Sequence, residues 1–171
     1  KDIHVHIEKV TGPDKTVDVV VDIFNRVNSG GTKLSKGDLA LARICAEWPA
    51  AREELRSSLA RWKVVGFEFS LDWLLRNINA VVTGKALFSA LKDVSAAEFQ
   101  HGLKRTNKAI DHLLNIVGGR LGLDHERVLG SRYAFPIMSR YVVENGGRLW
   151  NAMERDKLLY WYVHTLLWGR Y

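Results

Sequence analysis

Residues 95–119 read SAAEFQHGLKRTNKAIDHLLNIVGG, and this stretch is the strongest indication of the fold class. Its apolar residues recur mainly at intervals of three, four and seven, which is the spacing of one face of an α-helix. They are Phe99, Leu103, Ile110, Leu113, Leu114 and Val117. Ser95 and Glu98 have the spacing of a capping box, in which the two side chains satisfy free N–H groups at a helix start. The stretch predicts a long amphipathic helix that begins after Ser95 and that the glycine pair Gly118-Gly119 closes.

Six further segments have helical periodicity, and a short helical piece is predicted around residues 86–92. The six segments are 17–28, 35–48, 50–62, 70–83, 136–145 and 151–168. Residues 2–10 alternate between apolar and polar side chains, which is typical of a half-buried β-strand. The sequence therefore predicts a mainly α fold, an orthogonal bundle of about seven helices with one N-terminal β-strand.

Two of these segments carry further expectations about the core. From Leu158 onward the last segment is apolar almost all round, which predicts a central, buried helix. In segment 136–145, Pro136 fits the first turn of the helix, where its missing N–H costs nothing. The residues expected to face the core there are Ile137, Met138, Tyr141 and Val142.

The composition is that of a globular domain. Of the 171 residues, 47% are hydrophobic and 26% are charged, which excludes disordered and collagen-like chains. The single cysteine, Cys45, cannot form an internal disulfide, and no apolar run reaches the roughly 18–20 residues of a membrane span. We expect no membrane partner and a cytoplasmic location. Because the chain begins at Lys1 rather than Met and stops abruptly at Tyr171, residues 1–171 are interpreted as one mostly helical domain from a longer polypeptide.

Residues 23–35, IFNRVNSGGTKLS, form the most specific motif: a helix, a polar glycine loop and a capped helix. Free backbone N–H groups, hydroxyls and a lysine next to a helix N-terminus favour a phosphate. The spacing is not that of a Walker A motif. The alternative is that the glycines only turn the chain, and chemistry alone favours it because glycine C-caps are common. The candidate nucleotide- or phosphate-binding residues are Asn28, Ser29, Gly30, Gly31, Thr32 and Lys33.

This motif resembles the N-terminal domain family of GmrSD-type restriction endonucleases. The aromatic run 158–171 is similar to the aromatic helix with which that family's domain ends. The resemblance implies a ParB-like nucleotide-binding fold that carries an Asp-Gly-Gln-Gln-Arg motif and is joined to a helical part. It also implies a parent protein that cuts modified foreign DNA, with a His-Asn-His-like nuclease in a separate domain. Neither motif occurs in residues 1–171. The chain is therefore expected to be the helical part of a restriction or phage-defence protein.

The resemblance also implies the cofactors and partners. The chain alone is expected to hold no cofactor and no catalytic residue. The parent protein is expected to be a DNA endonuclease whose activity depends on a nucleoside triphosphate. The expected partner is an upstream ParB-like segment of the same polypeptide, with residues 28–32 beside its nucleotide. DNA and a second copy of the chain are further candidate partners.

Arginine and tyrosine are interleaved between residues 120 and 148, a combination that suits phosphate contact and base stacking. The candidate DNA-binding residues are Arg127, Arg132 and Arg140. The alternative is a plain surface whose arginines form internal ion pairs. The net charge of +6 adds only a modest indication of nucleic-acid binding, because acidic residues are interspersed.

No metal site is predicted. His4 and His6 lie on one face of the predicted strand without a third ligand, and they are interpreted as exposed residues. Cys45 and His164 are interpreted as core residues. The alternative function is a helical protein–protein interaction domain, which predicts a large exposed apolar patch and self-association that does not respond to nucleotide.

Overall fold

A computed structural model of the chain describes residues 36–149 and 151–169. These residues form six α-helices and two 3₁₀ helices. The α-helices are α1 (Lys36–Glu47), α2 (Ala51–Val64), α3 (Leu71–Thr83), α4 (Ala96–Leu121), α5 (Phe135–Glu144) and α6 (Ala152–Trp168). The 3₁₀ helices are Phe88–Asp93 and Arg132–Ala134. The prediction of a mainly helical chain is confirmed, while the predicted strand 2–10 and helix 17–28 lie outside the described residues.

The helix boundaries follow from local capping chemistry. The Ser70 hydroxyl accepts a hydrogen bond from the Trp73 N–H (3.2 Å) at the start of α3. The predicted capping box of Ser95 and Glu98 is present at the start of α4. The predicted end of α4 is wrong, because the helix continues through Gly118-Gly119 to Leu121 and ends at Gly122, whose φ of 67° is left-handed. Two helical glycines are tolerated because a glycine costs only about 1 kcal/mol relative to alanine, and the partly buried Leu121 continues the apolar face.

The central helix is α3, which packs against α2, α4, α5 and the first 3₁₀ helix. Its buried residues are Trp73, Leu74, Leu75, Asn77, Ile78, Asn79 and Val81. The α3 and α4 helices pack against each other at Gly102, where an added Cβ atom would collide with Val82 Cγ2. Only a glycine leaves room for this crossing without displacing a stiff β-branched side chain.

A chain of aromatic rings joins four of the helices. The Trp73 ring stacks on Phe69 at a centroid distance of 3.8 Å and lies 5.7 Å from Phe135 and 6.2 Å from Trp62. Phe135 in turn meets the Tyr162 ring of α6 edge to face at 6.1 Å. The Tyr162 hydroxyl donates to the Gly130 carbonyl (2.6 Å), and burial raises the pKa of this phenol to about 12. The aromatic chain thereby fixes α6 and the loop before α5 to the centre of the bundle.

The expectation that α6 is the central, buried helix is not met, since α3 lies at the centre of the described bundle. One side of α6 packs on the bundle through Leu158, Leu159 and Tyr162. On its other side Tyr160 is 68% and Leu167 73% exposed. A helix that is apolar all round is expected to be surrounded by packed elements. Within residues 36–149 and 151–169, packed elements contact only one side of α6.

The phase of α5 also differs from the prediction at Ile137, which is 50% exposed rather than inward-facing. The buried residues of α5 are Phe135, Met138, Ser139 and Val142. Ser139 takes an inward position because its hydroxyl donates to the Asn77 Oδ1 atom of α3 (2.9 Å), with both residues fully buried. The buried face of α5 therefore includes a hydrogen-bonded serine and differs from the face that hydrophobicity alone predicts.

Candidate nucleic-acid interface

The three arginines proposed from the sequence lie in different surroundings. Arg132 Nη2 lies 2.9 Å from Glu126 Oε1, and Arg140 Nη2 lies 2.6 Å from Glu144 Oε1. Arg140 also donates through Nη1 to the Ala80 carbonyl (3.0 Å) near the C-terminal end of α3. Arg127 is exposed in the loop between α4 and α5, and within the described ranges its side chain forms no ion pair. Two of the three arginines thus take part in the ion pairs that the alternative interpretation expects.

The Arg132–Glu126 pair belongs to a small network that joins two loops. The other carboxylate oxygen of Glu126 accepts from the Glu68 backbone N–H at 3.0 Å. The hydrogen bond from Arg132 is the main reason why the pKa of the Glu126 carboxyl is lowered from its ordinary value. Arg132 therefore has an architectural role, because it orients the Glu126 carboxylate that holds the loop before α5 against the segment before α3.

Arg140 lines a cavity of about 490 Å³ between α3 and α5, which we call the α3–α5 groove. Two further cations, Arg76 of α3 and Lys85 of the following loop, line the same cavity. The rest of its lining is small or apolar, apart from the Tyr133 phenol: Ala80, Gly84, Ala86, Tyr133, Pro136 and Ile137. The groove thus combines three positive charges with an apolar wall and one aromatic ring.

The loop that forms one end of the groove is held by the buried side chain of Asn79. Its Nδ2 atom donates to the Lys85 carbonyl (2.7 Å) and to the Leu87 carbonyl (3.2 Å). Its Oδ1 atom accepts from the Thr83 hydroxyl (3.1 Å). Gly84 ends α3 with a left-handed φ of 71°, and a Cβ atom there would lie 2.6 Å from Arg140 Nη1. The arginine side chain therefore occupies the space that the glycine leaves open.

The charges of the groove are only partly neutralised. Arg76 Nε lies 2.7 Å from Asp72 Oδ2, and the Arg76 guanidinium carbon lies 5.0 Å from the Phe88 ring centroid. Neither Asp72 nor Glu144 lines the groove, and Lys85 forms no ion pair within the described part of the chain. Ion pairs between exposed side chains contribute about 1 kcal/mol or less, so a bound anion can compete with them. The groove is therefore suited to an anionic ligand with an apolar part.

Sequence reasoning missed two of the three groove cations. Arg76 and Asp72 have the i,i+4 spacing of an ordinary surface pair on a helix, and Lys85 stands alone in its segment. The interleaving of arginine and tyrosine does indicate the right part of the chain, since Tyr133 and Arg140 both line the groove. No sequence signal links residue 80 to residue 140, which only the packing of α3 on α5 brings together.

A second surface feature is an aromatic row on the exposed side of α6, which we call the α6 stripe. It consists of Tyr160, His164, Leu167 and Trp168. The His164 ring lies 4.1 Å from the Tyr160 centroid and 5.0 Å from the Trp168 centroid. His164 is half-buried between these rings rather than in the core, whereas Cys45 packs partly buried against the core. The stripe therefore has aromatic or aliphatic side chains at its ends and an imidazole ring in the middle.

The predicted phosphate loop, residues 28–33, and the pair His4 and His6 lie outside the described residues. Within residues 36–149 and 151–169, no group of three His, Cys, Asp or Glu side chains could hold a metal ion. In the same ranges, no helix has the length and apolar character required to cross a membrane.

Comparisons with known proteins found no match: no protein-family model matches the chain, and no curated protein or solved structure is significantly similar to it. The properties of the α3–α5 groove and the α6 stripe are therefore the basis for assigning a function. The groove offers charge and an aromatic ring to a ligand, and the stripe offers apolar area to a partner.

Proposed function

We propose that this chain is the helical, non-catalytic part of a GmrSD-like, nucleotide-dependent restriction or phage-defence protein, and that it supplies a DNA-contacting surface. The observation that supports DNA contact is the convergence of Arg76, Lys85 and Arg140 in the α3–α5 groove. Guanidinium groups bind phosphate oxygens through paired hydrogen bonds, and a lysine adds a point charge. Contacts of this kind give affinity for DNA without reading its sequence.

In this proposal the parent protein joins the chain to an upstream ParB-like segment that binds a nucleoside triphosphate. The loop 28–33 would lie beside that nucleotide, where its backbone N–H groups and the Lys33 ammonium suit a phosphate. The complete domain would be an orthogonal bundle preceded by the strand 2–10, and it would work in the cytoplasm, where foreign DNA arrives. The chain alone would hold no cofactor, so calorimetry with ATP or GTP should detect weak binding or none.

The DNA proposal predicts binding that is independent of sequence and sensitive to salt. Fluorescence anisotropy with a labelled duplex should show an affinity that falls between about 50 and 200 mM salt, because each neutralised phosphate releases counterions. The double variant Arg76→Gln with Lys85→Gln should bind about tenfold more weakly. The slope of its log affinity against log salt concentration should decrease by the equivalent of roughly two phosphate contacts.

The matched control is Lys104→Gln with Arg105→Gln, which removes the same charge from two exposed residues of α4 outside the groove. This control should change the affinity less than the groove variant does. Equal losses in the two variants would indicate a general charge effect and contradict a groove-centred contact. If duplex DNA does not bind at low salt, the DNA proposal is wrong.

The α6 stripe favours a second candidate function, a helical module that pairs with another copy of itself. Tyr160, Leu167 and Trp168 are 68%, 73% and 64% exposed, and exposed apolar rows often mark interaction sites. Two copies related by a two-fold axis would cover the stripe of each with that of the other, the commonest form of self-association.

Self-association through the α6 stripe is expected to disappear in the variant Tyr160→Ser with Leu167→Ser. Analytical ultracentrifugation should show a dimer for the unmodified chain, with or without nucleotide, and a monomer for the variant. The control is Val64→Ser with Val65→Ser, whose valines are 87% and 59% exposed at the end of α2. A monomeric unmodified chain at high concentration, or loss of the dimer in the control, would contradict this candidate.

A further inference from the structure

We propose that the α3–α5 groove holds one unpaired nucleotide of a DNA strand, with the phosphate among the three cations and the base against Tyr133. This inference rests on the proposed DNA contact and specifies which part of the DNA the groove takes. It distinguishes the groove from a flat basic patch, which would contact only the outside of a duplex.

The size and lining of the groove support a ligand with a ring as well as a charge. Its volume of about 490 Å³ lies within the range of roughly 300–1,000 Å³ that is common for small-ligand sites. A phosphate on the outside of a duplex needs only the cations at the surface. Such a contact does not involve the apolar wall of the groove, whereas the apolar faces of a base can pack against it. The wall consists of Ala80, Ala86, Pro136 and Ile137.

The cations that would meet the phosphate come from three separate parts of the chain. Arg76 extends from α3, Lys85 from the loop that Asn79 holds, and Arg140 from α5. Arg140 is fixed by its bond to the Ala80 carbonyl, so part of the site exists before a ligand binds. Such preorganisation reduces the entropy cost of binding.

Tyr133 is placed to offer a ring to the base. Its side chain is 58% exposed and lines both the groove and the adjoining cavity that includes Asp72 and Trp73. The backbone beside it is held firmly, because the Trp73 indole N–H donates to the Arg132 carbonyl at 2.9 Å. Ser131, two residues earlier, has a left-handed φ of 46°, the only positive φ of a non-glycine residue within the described ranges. Strained backbone of this kind is frequent at functional sites.

An acidic peptide is the other ligand that three cations could attract. Its carboxylates would pair with the cations, but its flexible chain would gain little from a rigid, exposed phenol beside an apolar wall. A nucleotide uses all three features at once, because it carries a phosphate next to a flat ring. The groove chemistry therefore favours the nucleotide.

The test compares a labelled oligo-dT single strand with a duplex of equal length by fluorescence anisotropy at low salt. The single strand should bind about tenfold more tightly than the duplex, since only an unpaired base can enter the groove. Tyr133→Ala should weaken single-strand binding about tenfold, whereas Tyr133→Phe, which keeps the ring, should change it by less than about twofold. Tyr133→Ala should weaken single-strand binding more than it weakens duplex binding, and thermal unfolding checks that both variants fold.

Two results separate this inference from the proposed function on which it rests. If duplex and single strand bind equally well and Tyr133→Ala changes neither, the nucleotide inference is wrong and the DNA contact stands. If neither DNA binds, the proposed function is wrong as well. Displacement of the oligonucleotide by a poly-glutamate peptide as effectively as by unlabelled oligo-dT would assign the groove to acidic peptides and overturn the inference.

Discussion

Replacement of Trp73 by alanine is expected to lower the free energy of unfolding by about 3–5 kcal/mol. Trp73 is only 4% exposed, and its ring stacks on Phe69 at 3.8 Å between the rings of Trp62 and Phe135. The substitution would leave a large cavity at the point where α2, α3 and α5 meet. It would also leave the Arg132 carbonyl without the indole N–H that donates to it. Urea unfolding followed by circular dichroism measures the loss.

Domains of this size are stable by only about 5–15 kcal/mol, so the alanine variant can lose much of its folded population. Trp73→Phe keeps an aromatic ring at the position and removes only the indole N–H and part of the ring volume. We expect it to cost about 1–2 kcal/mol. Tyr160→Ala, at an aromatic residue that is 68% exposed, is the control and should change stability by about 0.5 kcal/mol or less. Equal losses at Trp73 and Tyr160 would contradict the assignment of Trp73 to the core.

Replacement of Asn79 by alanine is expected to cost about 2–3 kcal/mol and to release the loop that carries Lys85. The Asn79 side chain is fully buried and forms hydrogen bonds with the carbonyls of Lys85 and Leu87 and with the Thr83 hydroxyl. No other side-chain donor in the described ranges reaches those two carbonyls. Amide hydrogen exchange should therefore accelerate in residues 84–87 beyond what the fall in global stability explains.

Asn77→Ala is the matched control for this effect. Asn77 is equally buried, but its side chain bonds to the Trp73 carbonyl and the Ser139 hydroxyl, away from the loop. Both alanine variants should lower the melting temperature, and only Asn79→Ala should also accelerate exchange in residues 84–87. The same exchange pattern in both variants would show that Asn79 stabilises the bundle without positioning the loop.

Much of the fold could be predicted from the sequence because helix starts are local. Ser70, the pair Ser95 and Glu98, and Pro136 act on backbone groups within a few residues, so their effect is visible in the sequence. The continuation of α4 beyond Gly118-Gly119 was not predictable in this way. It depends on packing along the apolar face, and glycine permits a turn without requiring one.

The arrangement of helices depends on contacts that no local pattern contains. An apolar α6 does not reveal which of its sides meets the bundle, and hydrophobicity places Ile137 inward where the structure buries Ser139. The buried amides Asn77 and Asn79 look like surface residues in a helical pattern, although Asn77 connects α3 to α5 and Asn79 connects α3 to the loop that follows it. Such residues are identified only when their hydrogen-bond partners are known.

Part of the candidate site could be predicted, because some of its residues lie close together in the sequence. Tyr133 and Arg140 belong to the arginine- and tyrosine-rich region, which is continuous in the sequence. Arg76 and Lys85 come from the other side of the groove, and the packing of α3 against α5 brings them to it. The role of the loop 28–33 in binding phosphate remains a prediction, because it lies outside the described residues.

The close packing of Arg140 on Gly84 has a consequence for sequence variation. A side chain at position 84 would displace the guanidinium, and a shorter side chain at position 140 would leave the Ala80 carbonyl with the Gly84 N–H as its only donor. The two positions should therefore vary together in any set of sequences that keeps this helix crossing. A chain with a larger residue at 84 should lack arginine at 140, and its groove should carry one positive charge fewer.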